Sequence, residues 1–168
     1  MFQRGRDADP VDPSPAPTGS AGPDAAALEA AQAALAAEHA AVWAYGVIGA
    51  RVAKERRDEA RQAHEAHVTR RDSLARTVRR LGAAPVAAEA AYALPFRPDT
   101  AADAVRLAAG IEDGVAGACA DLVRAARGSL RREAADALGA AAVRAARWRG
   151  VGVAFPGLAE RKNRATES

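Results

Sequence analysis

The stretch from Leu28 to Val52, LEAAQAALAAEHAAVWAYGVIGARV, decides the fold. Leu28, Leu35, Val42 and Gly49 recur at a spacing of seven, and so do Ala31, Glu38, Tyr45 and Val52. Two such rows make the a/d seam of a helix packed in a bundle. Pro23 and Asp24 open this helix with start signals, Asp24 as its N-cap. The charge-dense run Lys54, Glu55, Arg56, Arg57, Asp58, Glu59 marks its end.

Working outward, the pattern resumes three more times. A second helix carries Ala60, His67, Leu74, Leu81 and His64, Arg71, Val78, and stops at Gly82, a C′ residue. A third starts at Thr100 with Asp103 as a capping-box partner and carries Val105, Glu112, Cys119 and Ala108, Val115, Leu122. Gly128 is expected to end it and Ser129 to cap a fourth. That helix carries Leu130, Ala137, Arg144 and Ala134, Ala141, Trp148, and stops at Gly150. Between the second and third lies a connection, residues 83–99, with Pro85, Pro95, Pro98 and the apolar Tyr92, Leu94 and Phe96. It is too long for a simple bundle turn. The expected fold is all-α: a four-helix bundle of two helical hairpins joined by a long crossover over residues 23–160. Residues 1–22, rich in Pro and Asp, and residues 161–168 read as disordered tails. An apolar stretch at 151–158 is expected to fold back on the bundle.

Composition agrees. Of 168 residues 49 are Ala, Arg outnumbers Lys 22 to 2, and aromatics make up 4%, a helix-forming mixture poor in strand formers. One cysteine excludes a disulfide framework or a cysteine-rich zinc site. No apolar run is long enough to span a membrane. The first residues lack a signal-peptide core, so a cytoplasmic location is expected. The net charge of +3 comes from 24 basic and 21 acidic residues that are interspersed, which argues against a nucleic-acid surface.

The informative residues are those that interrupt the seams. Glu38 and Glu112 each occupy a core position, with Tyr45 and Cys119 seven residues later. Arg71 and Arg144 follow the two glutamates by 33 and 32 residues, so the halves read as a weak repeat with Glu–Arg pairs at its centre. His64 and His67 share one face of the second helix. The bland reading of these histidines is hydrogen-bonded imidazole, and that of Tyr45 and Trp43 is core packing. His39 reads as exposed, and Cys119 as an inert buried thiol.

Four segments carry a resemblance: Ala37 to Gly46 (AEHAAVWAYG), His67 with Arg70, Arg71 and Asp72, Ala91 to Phe96 (AYALPF), and Ala145 to Gly150 (AARWRG). Together they resemble an actinobacterial ferritin-like family of unknown function, over roughly residues 24–158. The resemblance implies a carboxylate-bridged di-iron centre in which Glu38 and Glu112 would be ligands. The Glu-x-x-His pairs such centres draw from the second and fourth helices are missing. At those places stand Arg71 and Leu74, and Ala145 and Trp148 beside Arg144. A guanidinium cannot ligate a cation. The expectation is therefore a non-catalytic ferritin-like protein with no cofactor, its metal replaced by buried Glu–Arg pairs, with a structural or interaction role.

Two alternatives compete. One is an iron- or manganese-binding oxidase or storage protein using Glu38, Glu112 and His67 or the neighbouring His64. The other is a small-anion binder holding its ligand with Arg71 and Arg144. No Ser/His/Asp arrangement or phosphate loop points to another enzyme class. A homodimer is expected, because Tyr92, Leu94, Phe96 and Phe155 are more apolar bulk than four thin helices cover.

Overall fold

The computed structural model describes residues 23–150; the expected tails at 1–22 and 161–168 and the apolar stretch at 151–158 lie outside them. Four helices form the expected bundle: α1 (Pro23–Arg51), α2 (Arg57–Arg80), α3 (Ala101–Ala125) and α4 (Gly128–Arg149). A single 3-10 turn, Lys54–Arg56, joins α1 to α2. Among the described residues no strand occurs, and no helix is long and apolar enough to cross a membrane.

The ends follow local chemistry. Thr100 and Asp103 form the full capping box at the start of α3. Gly82, at φ 87°, closes α2: its N–H donates to Arg79 and the N–H of Ala83 donates to Val78, the two bonds of a Schellman cap. Gly150, at φ 83°, ends α4 in the same left-handed conformation. The α3–α4 turn departs from expectation. α3 stops at Ala125, Arg127 is the N-cap of α4, and Gly128 takes the positive φ of 58° as the first residue of α4, so Ser129 caps nothing.

α1 packs on α2, α3 on α4, and α1 on α3; α2 and α4 meet through side chains, Leu74 and Val78 sharing a core cluster with Ala134 and Arg70 donating to Glu133 O. The core has apolar ends, Leu35, Leu74, Val78 and Leu122 at one and Ile48, Leu107 and Trp148 at the other. Ala41, Val115, Cys119 and Ala141 fill its middle. The buried stripes are rotated from the heptad reading. On α1, Ala34, Ala41 and Ile48 are buried in place of the expected Leu28, Val42 and Gly49, and on α2 Ala63 replaces His64. The seven-residue repeat itself holds: Ala31, Glu38, Tyr45 and Val52 are buried as expected, and their partner row is Ala27, Ala34, Ala41 and Ile48, one position before the expected row along the whole helix.

The crossover lies on the outer face of α1 in extended conformation. The amide of Gln32 donates to Ala84 O at 2.6 Å and accepts from Val86 N at 2.8 Å. His39, half-buried rather than exposed, meets Val86 O at 3.2 Å. Trp43 packs against Tyr92 with ring centroids 6.2 Å apart. Leu94 and Phe96 are half-buried against the core, and Arg106 stacks 4.3 Å over Phe96. The apolar bulk assigned to a dimer interface is thus covered by the chain's own bundle, apart from Phe155, which lies outside the described residues.

Candidate functional site

The stripes of α1, α2 and α3 converge on three polar side chains with no exposure to speak of: Glu38 at 2%, His67 at 0% and Glu112 at 0%. His67 stands between the two glutamates. Its Nδ1 is 2.7 Å from Glu38 Oε2 and its Nε2 is 3.2 Å from Glu112 Oε1. The same Oε1 accepts the Tyr45 hydroxyl at 2.6 Å and the Arg144 Nε–H at 2.8 Å. Trp148 Nε1–H donates to the Tyr45 oxygen at 2.8 Å. The six residues form one connected chain, Trp148 to Tyr45 to Glu112, with Arg144 alongside, and through His67 to Glu38.

The electrostatics follow from this wiring. A neutral imidazole has one N–H to give, and here two carboxylates face its two nitrogens. Burial alone pushes His67 down; the hydrogen bonds to Glu112 and Glu38 and their charges outweigh it and raise its pKa above 6.5. Burial pushes Glu112 up, but the bonds from His67 and Arg144 prevail and hold it below 4.5. Burial, and then the charge of Glu112, keeps the Tyr45 phenol protonated far above its ordinary range. With His67 as imidazolium, two carboxylates balance two cations, and the buried cluster is neutral.

Glu112 Oε1 accepts three hydrogen bonds, while Oε2, equally buried, has no partner among the described residues.

Of the residues singled out from sequence, Glu38, Tyr45, His67, Glu112 and Arg144 come together. His64 is half-buried and makes no bond in the cluster. The expectation for Arg71 is corrected. It turns to its neighbour Asp72 at 2.8 Å, part-exposed, and makes no pair with Glu38. Of the two expected Glu–Arg pairs only Glu112–Arg144 forms; His67 takes the place of arginine at Glu38. The register explains the difference. Glu38 and Glu112 are 74 residues apart, as are Tyr45 and Cys119, and the same step from Arg144 leads back to Arg70, not Arg71. Arg70 does reach inward: its Nε is buried with no partner among the described residues, and its Nη2 donates to Glu133 O at 2.6 Å. In sequence Trp148 reads as packing alone; the signal for its role is the N–H that a buried indole must satisfy. Cys119 is buried, and desolvation pushes its thiol up to about 11, the state of an unreactive thiol.

A dinuclear metal centre fits this donor set poorly. Both nitrogens of His67 face carboxylates, and one oxygen of Glu112 is saturated by three donors, one of them a guanidinium. Among the described residues no group of three or more His, Cys, Asp or Glu is arranged to hold a metal ion.

A search of curated proteins finds no match. Among solved structures the chain is similar to the crystal structure of a conserved hypothetical protein, rv2844, from Mycobacterium tuberculosis. The two are 34% identical, with a TM-score of 0.74, over 82% of this chain and 97% of that one. The sequence also matches the domain of unknown function DUF4439 over residues 30–160. That span takes in all but the first turns of α1 and runs past the end of α4, and the chain belongs to the DUF4439 family.

Proposed function

We propose that the chain is a ferritin-like bundle whose interior no longer serves a metal, a non-catalytic cytoplasmic protein with a structural or interaction role. The observation that supports this most is the place of His67. It spans Glu38 and Glu112 with both nitrogens, where a metal-binding bundle would hold its cation between the carboxylates. With Arg144 on the same glutamate the cluster is already neutral, and a dication would add uncompensated charge in a low-dielectric interior. Of the residues on which the expected homodimer rests, Tyr92, Leu94 and Phe96 are half-buried on the bundle and Phe155 lies outside the described residues, so sedimentation at micromolar concentration is its test.

The second reading, an iron- or manganese-binding protein using Glu38, His67 and Glu112, is favoured by one observation, the unpartnered Oε2 of Glu112. Elemental analysis of protein purified from iron- or manganese-supplemented cells separates the two. Trace metal supports the first. One or two tightly held atoms per chain, lost in Glu38→Ala, establish the second. The small-anion reading is weakened because Arg71 faces Asp72 at the surface.

A further inference from the structure

The seam between α2 and α4 is bridged in one half of the bundle and open in the other. These two helices approach each other less closely than the other neighbouring pairs. In one half Arg70 crosses the seam and donates to Glu133 O at 2.6 Å. The 74-residue step of the internal repeat relates Arg70 to Arg144 and Glu59 to Glu133, so the matching bridge would run from Arg144 to Glu59 O. Arg144 turns inward instead and gives its Nε–H to Glu112 at 2.8 Å. A groove of about 370 Å³ opens beside it, with Glu59 and Gln62 on one wall and Arg147 on the other.

Both ends of this groove are crossed by arginines. The Arg70 bridge lies beyond one end. At the other, Arg56 stacks 4.0 Å over the Trp148 ring and donates to Arg147 O at 3.2 Å and to Trp148 O at 3.4 Å. A helix or an extended peptide would collide with these bridges, whereas a small molecule fits between them. The volume falls at the small end of ligand sites, which span about 300 to 1,000 Å³.

The lining selects an anion with an apolar body. Ala63, Ala66, Ala140, Val143 and Trp148 supply the apolar surface. Arg144 commits only its Nε to Glu112; its two Nη groups make no bond among the described residues, and its side chain is 23% exposed. Arg147 is exposed on the groove wall. The carboxylate on the opposite wall, Glu59, is already paired with Arg56 at 2.7 Å. The wider field acts in the same direction: α2 and α4 carry twelve arginines against six acidic residues, while α1 and α3 carry three against seven.

We propose that this groove binds a small amphipathic monocarboxylate. Its carboxylate accepts from the Nη groups of Arg144 and from Arg147, as charge-assisted bonds, and its apolar body lies along the alanines and Val143. The site is separate from the reading of the core: it holds with or without a metal at Glu38 and Glu112, and Arg71 takes no part in it.

Titration of the full chain with octanoate, followed by amide shifts, tests the proposal. Saturable shifts should gather at Ala66, Gly139 and Val143. Octanamide, which keeps the apolar body and loses the charge, should bind at least about tenfold more weakly. Arg147→Gln should weaken octanoate about tenfold with the unfolding midpoint unchanged; Arg144 is the poorer choice, since its loss also strips a partner from Glu112. Ala140→Phe, which fills the groove from an exposed position, should abolish binding. The absence of saturable shifts in the millimolar range, equal affinity for octanoate and octanamide, or binding that neither variant alters would each overturn the proposal. A polyglutamate peptide that binds more tightly than octanoate and is lost in Arg147→Gln would also overturn it, in favour of an acidic protein partner.

Discussion

His67 Nδ1 lies 2.7 Å from Glu38 Oε2, and neither side chain is more than 2% exposed. Removing one partner of such a pair leaves the other charge buried and unpaired, at a cost of about 3 to 5 kcal/mol. His67→Leu should therefore destabilise the fold by that order in denaturant unfolding. The double change His67→Leu with Glu38→Leu, which removes both charges, should lose less than the single. A double variant at least as damaged as the single would refute the pairing.

The cluster predicts a stability window in pH. His67 has a folded pKa above 6.5, so its contribution is complete below 6.5 and is lost as pH rises through the folded value. Glu112 has a folded pKa below 4.5, so its contribution is complete above 4.5 and is lost as pH falls. The cluster stabilises most between 4.5 and 6.5. The stability difference between the native protein and His67→Gln should shrink as pH is raised above that window. A difference that grows with pH would mean that the buried imidazole is neutral.

The four helices, the capping box at Thr100 and the glycine stops at Gly82 and Gly150 are legible in the sequence, because each rests on local chemistry. So are both glutamates, because a carboxylate on an apolar seam must find a charge or hydrogen-bond partner inside the core. Partner choice is not legible. It depends on helix rotation, and a one-residue error separates Arg71, at the surface with Asp72, from Arg70, with its Nε buried. The hold of Gln32 on the crossover is equally hidden, since extended backbone leaves no periodic mark in sequence.

Arg71 and Arg144, equivalent by their spacing from the two glutamates, should behave differently. Arg144→Leu strips a charge partner from fully buried Glu112 and should cost about 3 to 5 kcal/mol. Arg71→Leu breaks an exposed pair with Asp72 and should change stability by less than about 1 kcal/mol. Thermal unfolding of both variants side by side checks this. Comparable losses would place Arg71 among the core contacts.

Tyr45→Phe keeps the ring and removes one hydroxyl. That oxygen accepts from Trp148 Nε1 and its proton goes to Glu112, so the change leaves a buried indole N–H without an acceptor. The expected loss is about 1 to 3 kcal/mol. Trp148→Phe with Tyr45→Phe should be less than additive, because the second change removes the group orphaned by the first. Strict additivity in the double-mutant cycle would separate the two side chains.

Gln32 holds the crossover by a two-point contact, donating to Ala84 O at 2.6 Å and accepting from Val86 N at 2.8 Å. Both backbone groups belong to a segment that has no helix or sheet of its own to satisfy them. Gln32→Ala should therefore act locally. Global stability should fall by only about 1 kcal/mol, the net worth of such bonds near solvent. Hydrogen exchange at the Val86 amide should accelerate well beyond that of amides in the middle of α1, because the strap opens without the bundle unfolding. The Trp43–Tyr92 contact sits further along the same strap and the Tyr92 hydroxyl accepts from the Glu89 amide at 3.0 Å, so Tyr92→Ala combined with Gln32→Ala should extend fast exchange from Val86 to Glu89. Unchanged exchange at Val86 in Gln32→Ala would show that the crossover is held by its apolar side chains alone.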